Sequence, residues 1–376
     1  MKKFLFLVAL FCAFKCTASS QRHFTVLVFA NFRNGMNLTA ELAGYGIEIS
    51  KREHAKEASN IDFKVIDIDD NMKTAADQVA RAIRDFSPDL MIGAIRSDHA
   101  FVISDLAEQK KIPFITPLAT HPSLTKNKTY TFRTCLDDEQ QAEYLSEFIF
   151  KEKKLKTVTL ITHQEMSFSL GFSKAFRKSY ETMGGRIIDE IKVRRVSDLT
   201  NEKLFEIRKN QPDAFVIPLY QVEAAGVISL LAPISKKSVF IGPDSWGGGD
   251  LFRKVFTRGT SFKGYYAEHW SEASKTLENK NFYLSLSKNG KDFKLLRNTH
   301  DNSLLATVAA FYELTNIAIH VLSMEPDLPI LHKIEGLKFV GTRGKLDFTS
   351  SHTPVKSIYI YEIEPNSERF YGKYPK

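Results

Sequence analysis

The chain has 376 residues, 43% hydrophobic and 26% charged, with a formal charge of +8 from 52 Lys and Arg against 44 Asp and Glu. That length exceeds a single core of ordinary size and suits two domains. Basic residues are scattered among acids along the whole chain, with Lys151 to Lys156 and Lys192 to Arg195 reading as solvated faces, which argues against a nucleic-acid partner.

Lys2 and Lys3 precede an apolar run from Phe4 to Phe14 that is too short for a permanent membrane helix and reads as a secretory signal peptide over residues 1–20. Cleavage after Ala18 or Ser20 removes Lys2, Lys3 and Lys15, lowering the charge from +8 to +5, and takes Cys12 and Cys16 with it. Phe11 and Lys15 stand before those cysteines where lipid attachment needs a small residue, so no lipid anchor is expected. No other apolar stretch approaches a membrane span, and the expectation is a soluble periplasmic protein. Cys135 then remains alone, unable to form an intrachain disulfide, and reads as a small buried filler.

The run Phe24 to Ala30 is continuously apolar and β-branched, as in a strand buried on both faces of a parallel sheet. Helical spacing follows over Thr39 to Ala58 (Leu42, Gly46, Ile49), then strand character at Phe63 to Ile68, a helix over Asn71 to Phe86, and a buried strand at Leu90 to Ile95. Ala100 to Gln109 reads as a helix and Ile112 to Leu118 as a short strand ending in a polar loop. A second series starts near Glu139: helices over 139–150, 171–183, 199–209 and 224–232 alternate with strands at 157–161, 186–193, 214–219 and 238–242. The last third returns to a helix at Ser303 to Leu322, a hairpin-like Gly341 to Phe348 and a strand from Val355 to Ile363, which need places in sheets already built. The fold class is therefore α/β, two doubly wound lobes with a hinge crossed more than once, and no flexible tether separates them.

In such sheets ligands bind beyond the strand carboxyl ends. After Ile95 comes Arg96-Ser-Asp-His99, where Ser97 either presents a hydroxyl and an N–H to an anion or, with Asp98, caps the next helix. Arg96 and His99 either favour an anionic ligand or are exposed loop residues. Asp244, after the strand at Ile241, is either a ligand contact or a turn residue.

Gly93-Ala-x-x-Ser97, then Ile112-Pro-x-Ile-x-Pro-x-Ala119-Thr120-x-Pro-x-Leu-Thr125, Thr131-Phe-Arg-Thr134 and Asp137-Asp-Glu-Gln140 together resemble the type I periplasmic binding proteins, in particular the branched-chain amino-acid (Leu/Ile/Val) binding proteins of ABC transporters. Phe168-Ser-Leu-Gly171 with Ala175-Phe176, Asp301-Asn302, Phe339-x-Gly-x-x-Gly-x-Leu-Asp-Phe348 and Pro354 extend the resemblance over nearly the whole chain. It implies a hinged capture of a small ligand such as an amino acid: Ser97, Ala119 and Thr120 hold its carboxylate and ammonium from the first lobe, while Tyr220 and Asp244 close from the second. The lobes are expected at 21–136 with 265–340, and at 137–264 with 341–376.

The chain departs from the family pattern at Phe168, where an aromatic hydroxyl is usual, and at Lys51 to Glu57, where a Gly-Gly turn is usual. Trp246 with Gly247 to Gly249 either stacks on a planar ligand or packs the cleft edge. Nucleophile elbows, paired catalytic carboxylates, metal-spaced histidines and phosphate loops are absent, and His163 and His269 read as isolated imidazoles, so neither an enzyme nor a cofactor or metal is expected. The expected function is an extracytoplasmic solute-binding protein serving the membrane permease of an ABC importer; the alternatives are a sensing or envelope-regulatory module of the same fold and, least favoured, an exported enzyme.

Overall fold

A computed structural model describes residues 22–30, 37–247, 261–290, 302–325, 327–349, 351–363 and 368–375. The expected signal segment 1–20, together with Gly248, Gly249 and Asp301, lies outside the described residues. In chain order, β1 (Phe24–Ala30), α1 (Asn37–Glu53), β2 (Ile61–Asp67), α2 (Met72–Phe86), β3 (Leu90–Gly93), α3 (Ser97–Lys110), β4 (Phe114–Thr116) and β5 (Thr131–Arg133) build a parallel sheet ordered β2-β1-β3-β4-β5. All four residues of β3 and six of seven in β1 are buried, as their unbroken apolar runs require.

The second series is α4 (Asp138–Glu147), β6 (Thr157–His163), α5 (Ser167–Thr182), β7 (Arg186–Val193), α6 (Asn201–Lys209), β8 (Ala214–Val216), α7 (Gln221–Leu231), β9 (Val239–Gly242) and β10 (Lys263–Glu268). After it come α8 (Leu277–Asn289), α9 (Asn302–Ser323), α10 (Ile330–Glu335), the hairpin β11 (Lys338–Gly341) with β12 (Gly344–Asp347), β13 (Ile358–Ile363) and β14 (Glu368–Tyr374). The second sheet runs β14-β13-β10-β9-β8-β6-β7, with β13 antiparallel to both of its neighbours, β10 and β14, and the other pairs parallel. Two α/β lobes result, and among the described residues the chain passes between the sheets after β5, after β10 and after β12.

Strand pairing draws the passages differently from the sequence pattern, which places them at 265 and 341. Residues 263–268 pair with β9 and β13 in the second sheet, whereas Leu346 and Phe348 pack with Val28, Ile92 and Phe311 in the core of the first. One further expectation is corrected: Leu304–Ser323 is long and apolar enough to cross a membrane, but 78% of its apolar window is buried inside the protein, where α9 lies along α1 and supplies core to the first lobe.

The first and last passages meet at a sealed charge cluster. Glu313 of α9 accepts from the Arg343 guanidinium at 3.0 and 3.2 Å, from the Arg343 N–H at 2.8 Å and from the Thr342 hydroxyl at 3.2 Å. Lys356 Nζ stands 3.6 Å away, and all three charged side chains are at most 5% exposed. Arg343 also donates to the Pro117 carbonyl at 2.7 Å and the Thr134 hydroxyl at 2.5 Å, joining the hairpin to the β4 loop and to the first passage. Burial pushes the Glu313 carboxyl up, but Lys356, Arg343 and the donated hydrogen bonds outweigh it and hold the group below its ordinary range.

Two predictions follow from this packing. A Cβ on Gly46 would lie 2.4 Å from the Val308 carbonyl oxygen and 2.8 Å from the Tyr312 nitrogen, whereas one on Gly44 meets nothing within 4 Å. Gly46→Ala is therefore expected to destabilise by ~1–3 kcal/mol through forced separation of α1 from α9, and Gly44→Ala in the same helix to stabilise by up to ~1 kcal/mol. Urea denaturation of both variants checks the opposite signs. Lys356 gives the second: burial lowers its ammonium from 10.5 to about 8 despite Glu313. Between those values the unfolded chain holds a proton that the folded chain has released, so this residue makes stability rise with pH across about 8 to 10.5. Denaturation midpoints over that window should climb less in Lys356→Met; equal climbs in both proteins would show that Lys356 stays charged there.

Candidate ligand-binding site

Strand order reverses between β1 and β3 in the first sheet and between β6 and β8 in the second. Crevices open at the carboxyl ends of strands at such points. The loop after β3 delivers Arg96 and Ser97, and the neighbouring loop after β4 delivers Ala119 and Thr120. From the other lobe, the loop after β6 leads into α5 with Phe168, the loop after β8 brings Tyr220, and β9 ends just before Asp244.

Side chains from the two lobes touch there. The Arg96 guanidinium lies 5.0 Å above the Tyr220 ring, and its Nη1 donates to Asp70 at 3.1 Å. Burial works against the Arg96 charge, and Tyr220, Asp70 and Asp98 outweigh it. Tyr220 in turn stacks on Phe168, with ring centroids 5.7 Å apart. Asp98 accepts from the Ser167 N–H at 3.3 Å, tying the start of α3 to the start of α5. A Cβ on Gly171 would lie 2.7 Å from the His121 ring, so a glycine on α5 is what allows this imidazole from the first lobe to approach.

A continuous polar line runs from Ser97 to Asp244. The Ser97 hydroxyl accepts from the His121 N–H at 3.3 Å, and the Thr120 carbonyl accepts from the Asp138 N–H at 2.9 Å. One turn along α4, Gln141 donates to Asp244 Oδ1 at 3.0 Å and accepts from the Asp244 N–H at 3.0 Å. His269 Nε2 stands 2.9 Å from Asp244 Oδ2. Buried Arg133 braces the loop by donating to the carbonyls of Ala119 at 3.2 Å and His121 at 2.7 Å. Desolvation pushes the fully buried Asp138 carboxyl well above its ordinary range, and the nearby Asp244 carboxylate adds to the rise.

The structure thus brings Ser97, Thr120, Tyr220 and Asp244 to one crevice, with Phe168 behind Tyr220. Several readings are corrected. Arg96, not Ser97 or Asp98, occupies the N-cap of α3, and no side chain caps it. His99 is 2% exposed and bonds to the Asp69 carbonyl at 3.0 Å, so it is no exposed loop residue facing an anion. The Ala119 N–H goes to the Thr116 hydroxyl at 3.3 Å and its carbonyl to Arg133, making it a braced point of the loop. Trp246 is fully buried in the second lobe's core, folded against Gly242 and donating to the Ile217 carbonyl at 2.8 Å; its bulk fills the space beneath β9 and does not form a stacking platform.

Asp138, Gln141 and His269 adjoin the candidate site without having been nominated for it. Asp138 falls within the quoted Asp137-Asp-Glu-Gln140 stretch, but nothing local distinguishes it from a solvated first-turn acid. His163 and His269 each have ring partners, at 3.0 Å to the Arg194 carbonyl and 2.9 Å to Asp244. Cys135 is buried, its thiol pushed up to about 11 by desolvation, in keeping with a packing role. No group of His, Cys, Asp and Glu among the described residues could hold a metal ion.

Residues 27–232, more than half of the chain, match the periplasmic binding protein family. A Leu/Ile/Val-binding protein homolog from Brucella melitensis and the Leu/Ile/Val-binding protein BraC3 from Rhizobium johnstonii are each 32% identical over 95 residues, a segment that is 25% of this chain and only about a quarter (26%) of each relative. A leucine-binding protein from Thermotoga maritima superposes with a TM-score of 0.80 at 21% identity, covering 93% of this chain and 98% of its own. A branched-chain amino-acid transporter substrate-binding protein from Streptococcus pneumoniae, in complex with isoleucine, gives 0.78 at 17% identity over 93% and 99%. A solute-binding protein of an ABC transporter from R. palustris, in complex with benzoate, gives 0.78 at 18% over 93% and 96%. The resemblance to the type I, branched-chain amino-acid branch is borne out, the fold is that of ABC-transporter solute-binding proteins, and that affiliation implies an extracytoplasmic location. The chain belongs to the periplasmic binding protein family.

Proposed function

We propose that this chain captures a small polar ligand, an amino acid or a related carboxylic acid, in the crevice between its lobes and presents it to the membrane permease of an ABC importer. The observation that supports the reading is that Ser97 and Thr120 follow the neighbouring strands β3 and β4 of one sheet, and Tyr220 and Asp244 the neighbouring strands β8 and β9 of the other, at carboxyl ends where β3 and β8 flank a reversal of strand order. Hydroxyls and the N–H groups at the start of α3 suit a carboxylate, while Asp244, held in place by Gln141 and His269, suits a cation. The half-buried Arg96, whose Nε has no hydrogen-bond partner among the described residues, adds a further donor for an anionic group. In this reading the halves built on the two sheets are the lobes that close on the ligand.

A thermal-shift screen of the purified protein against amino acids and aromatic carboxylates tests the proposal. A ligand present at about 100 times its Kd should stabilise the protein by ~2.7 kcal/mol through mass action. Ser97→Ala, Thr120→Ala and Asp244→Ala should each weaken binding by ~1–3 kcal/mol while the protein still folds. Unchanged affinity in all three would remove these residues from the site.

A further inference from the structure

The parallel strands of the second sheet start along one line. Thr157 at the head of β6 pairs with Arg186 at the head of β7, Val158 pairs with Ala214, and Ala214 pairs with Val239, which also pairs with Lys263. This edge lies at the other end of the strands from Tyr220 and Asp244. The residues that lead into the strands, 151–156, 183–186, 208–213, 233–238 and 261–263, hold ten Lys and Arg against two acids, Glu152 and Asp213. That difference equals the +8 of the entire chain, so the rest of the sequence is electrically balanced.

Hydrogen bonds between these segments fix the edge. Asp213 accepts from the N–H groups of Lys156 at 2.7 Å and Thr157 at 2.8 Å, and the Arg186 N–H donates to the Lys156 carbonyl at 2.9 Å. Gln211 donates to the Ile234 carbonyl at 2.9 Å and Ser238 to the Pro212 carbonyl at 2.6 Å, joining the loops before β8 and β9. Lys154, Lys156, Arg186, Lys236, Lys237 and Lys263 are exposed, and none forms an ion pair among the described residues. The basic run at the carboxyl end of β7 differs: Arg194 pairs with Glu165 at 2.8 Å and Arg195 with Asp198 at 3.5 Å. On one flank the turn between β13 and β14 brings Glu362 and Glu368, but Tyr265, Tyr266 and Arg369 already donate to them.

Neighbouring strands lie about 4.8 Å apart, so cations spread over the heads of β7, β6, β8, β9 and β10 cover ~20 Å. Such a row is too broad for one small anion and suits a plane of phosphates. Phe205, 67% exposed, stands one turn before Lys209 on the same face of α6, an aromatic ring beside the cations as at a lipid headgroup boundary. A nucleic-acid duplex offers such a ring no apolar layer, and the family affiliation places the chain outside the cytoplasm.

We propose that the amino-terminal edge of the second sheet docks on an anionic phospholipid surface, with the crevice at the other end of the strands left open to solvent. The attraction fades within a Debye length, about 10 Å at 0.1 M salt, so the contact is loose and salt-sensitive. It does not depend on which solute the crevice takes.

Flotation of the purified protein with vesicles of phosphatidylcholine alone, and of phosphatidylcholine and phosphatidylglycerol in equal parts, tests the assignment. Binding is expected on the anionic vesicles only, falling about tenfold or more between roughly 50 and 500 mM NaCl. Lys236→Glu with Lys237→Glu, and Lys154→Glu with Lys156→Glu, should each weaken it ~25-fold or more, since each cation near such a surface is worth about fivefold. Arg194→Glu with Arg195→Glu makes the same change in net charge away from the edge and should stay within about threefold of wild type. All six substituted side chains are exposed, and denaturation midpoints check that the variants fold. Failure to bind the anionic vesicles, equal binding to both compositions, or equal losses in all three double variants overturns the proposal. So does displacement by inorganic phosphate beyond that by chloride at equal ionic strength, which marks a single-anion site, or tighter binding to a short DNA duplex than to the vesicles. None of these outcomes bears on the solute-binding reading.

Discussion

A carboxylate shut away from water holds the two halves of this protein in register. Glu313 is 1% exposed and satisfied on both oxygens, and the guanidinium that satisfies it reaches on to Pro117 and Thr134, while Lys356 closes the cluster from the last passage between the sheets. Removing charges from water is expensive unless every lone pair and proton finds a partner. Because that demand is met only when the hairpin, α9 and the first and last passages are correctly placed, the cluster specifies an arrangement even where an apolar core of equal volume would be as stable. The position of the loop bearing Ala119 and Thr120 follows from it, since Arg343 grips the carbonyl at the start of that loop and Arg133 grips it further on.

Glu313 and Asp138 make an instructive contrast. Both are sealed carboxyls close to the passages, yet one is surrounded by donors and held below its ordinary range, and the other has none and is pushed well above it. The difference is one of partners, not of depth. The structural carboxylate is supplied with donors within the chain, whereas the one near Thr120 and Asp244 is relieved by the raised pKa that disfavours its charged form.

Much of the fold was legible because its central strands are covered on both faces. Unbroken apolar runs such as Phe24 to Ala30 have few other physical readings, and the β7 range, Arg186–Val193, coincides with the pattern residue for residue. Three elements left little trace. Lys263–Glu268 is short and built from Gly, Tyr and charged ends, Glu368–Tyr374 is an edge strand with mostly half-exposed or exposed side chains, and the surface of α8 carries Leu277 and Leu284 exposed, which blurs its amphipathic stripe. Within the candidate site, Ser97 stood out because it follows a strand, while Thr120, Tyr220 and Asp244 were nominated by the family resemblance, the last two also standing at strand ends. Trp246 misled because a large ring near a strand end resembles a platform, and only the third dimension shows that Gly242 leaves room for it to fold inward. Asp138 and Gln141 were illegible for the opposite reason: their significance lies in a loop and a strand end far along the chain.

The contacts that bridge the crevice are modest beside the cores on either side. An N–H to a carboxylate at 3.3 Å, a guanidinium 5.0 Å above a ring and an imidazole against a glycine span it, each contributing on the order of 1 kcal/mol. Each lobe, by contrast, is knit by a buried sheet and its own aromatic clusters. Separation of the lobes at the passages would therefore disturb few interactions, which suits the hinged capture proposed above. A solute shifts a balance between open and closed arrangements only by the difference in its affinity for the two. On the solute-binding reading proposed above, groups on one wall alone would hold a ligand equally well in both arrangements, whereas Ser97 and Thr120 on one wall and Tyr220 and Asp244 on the other would engage it together only when the walls meet, which would convert binding into closure.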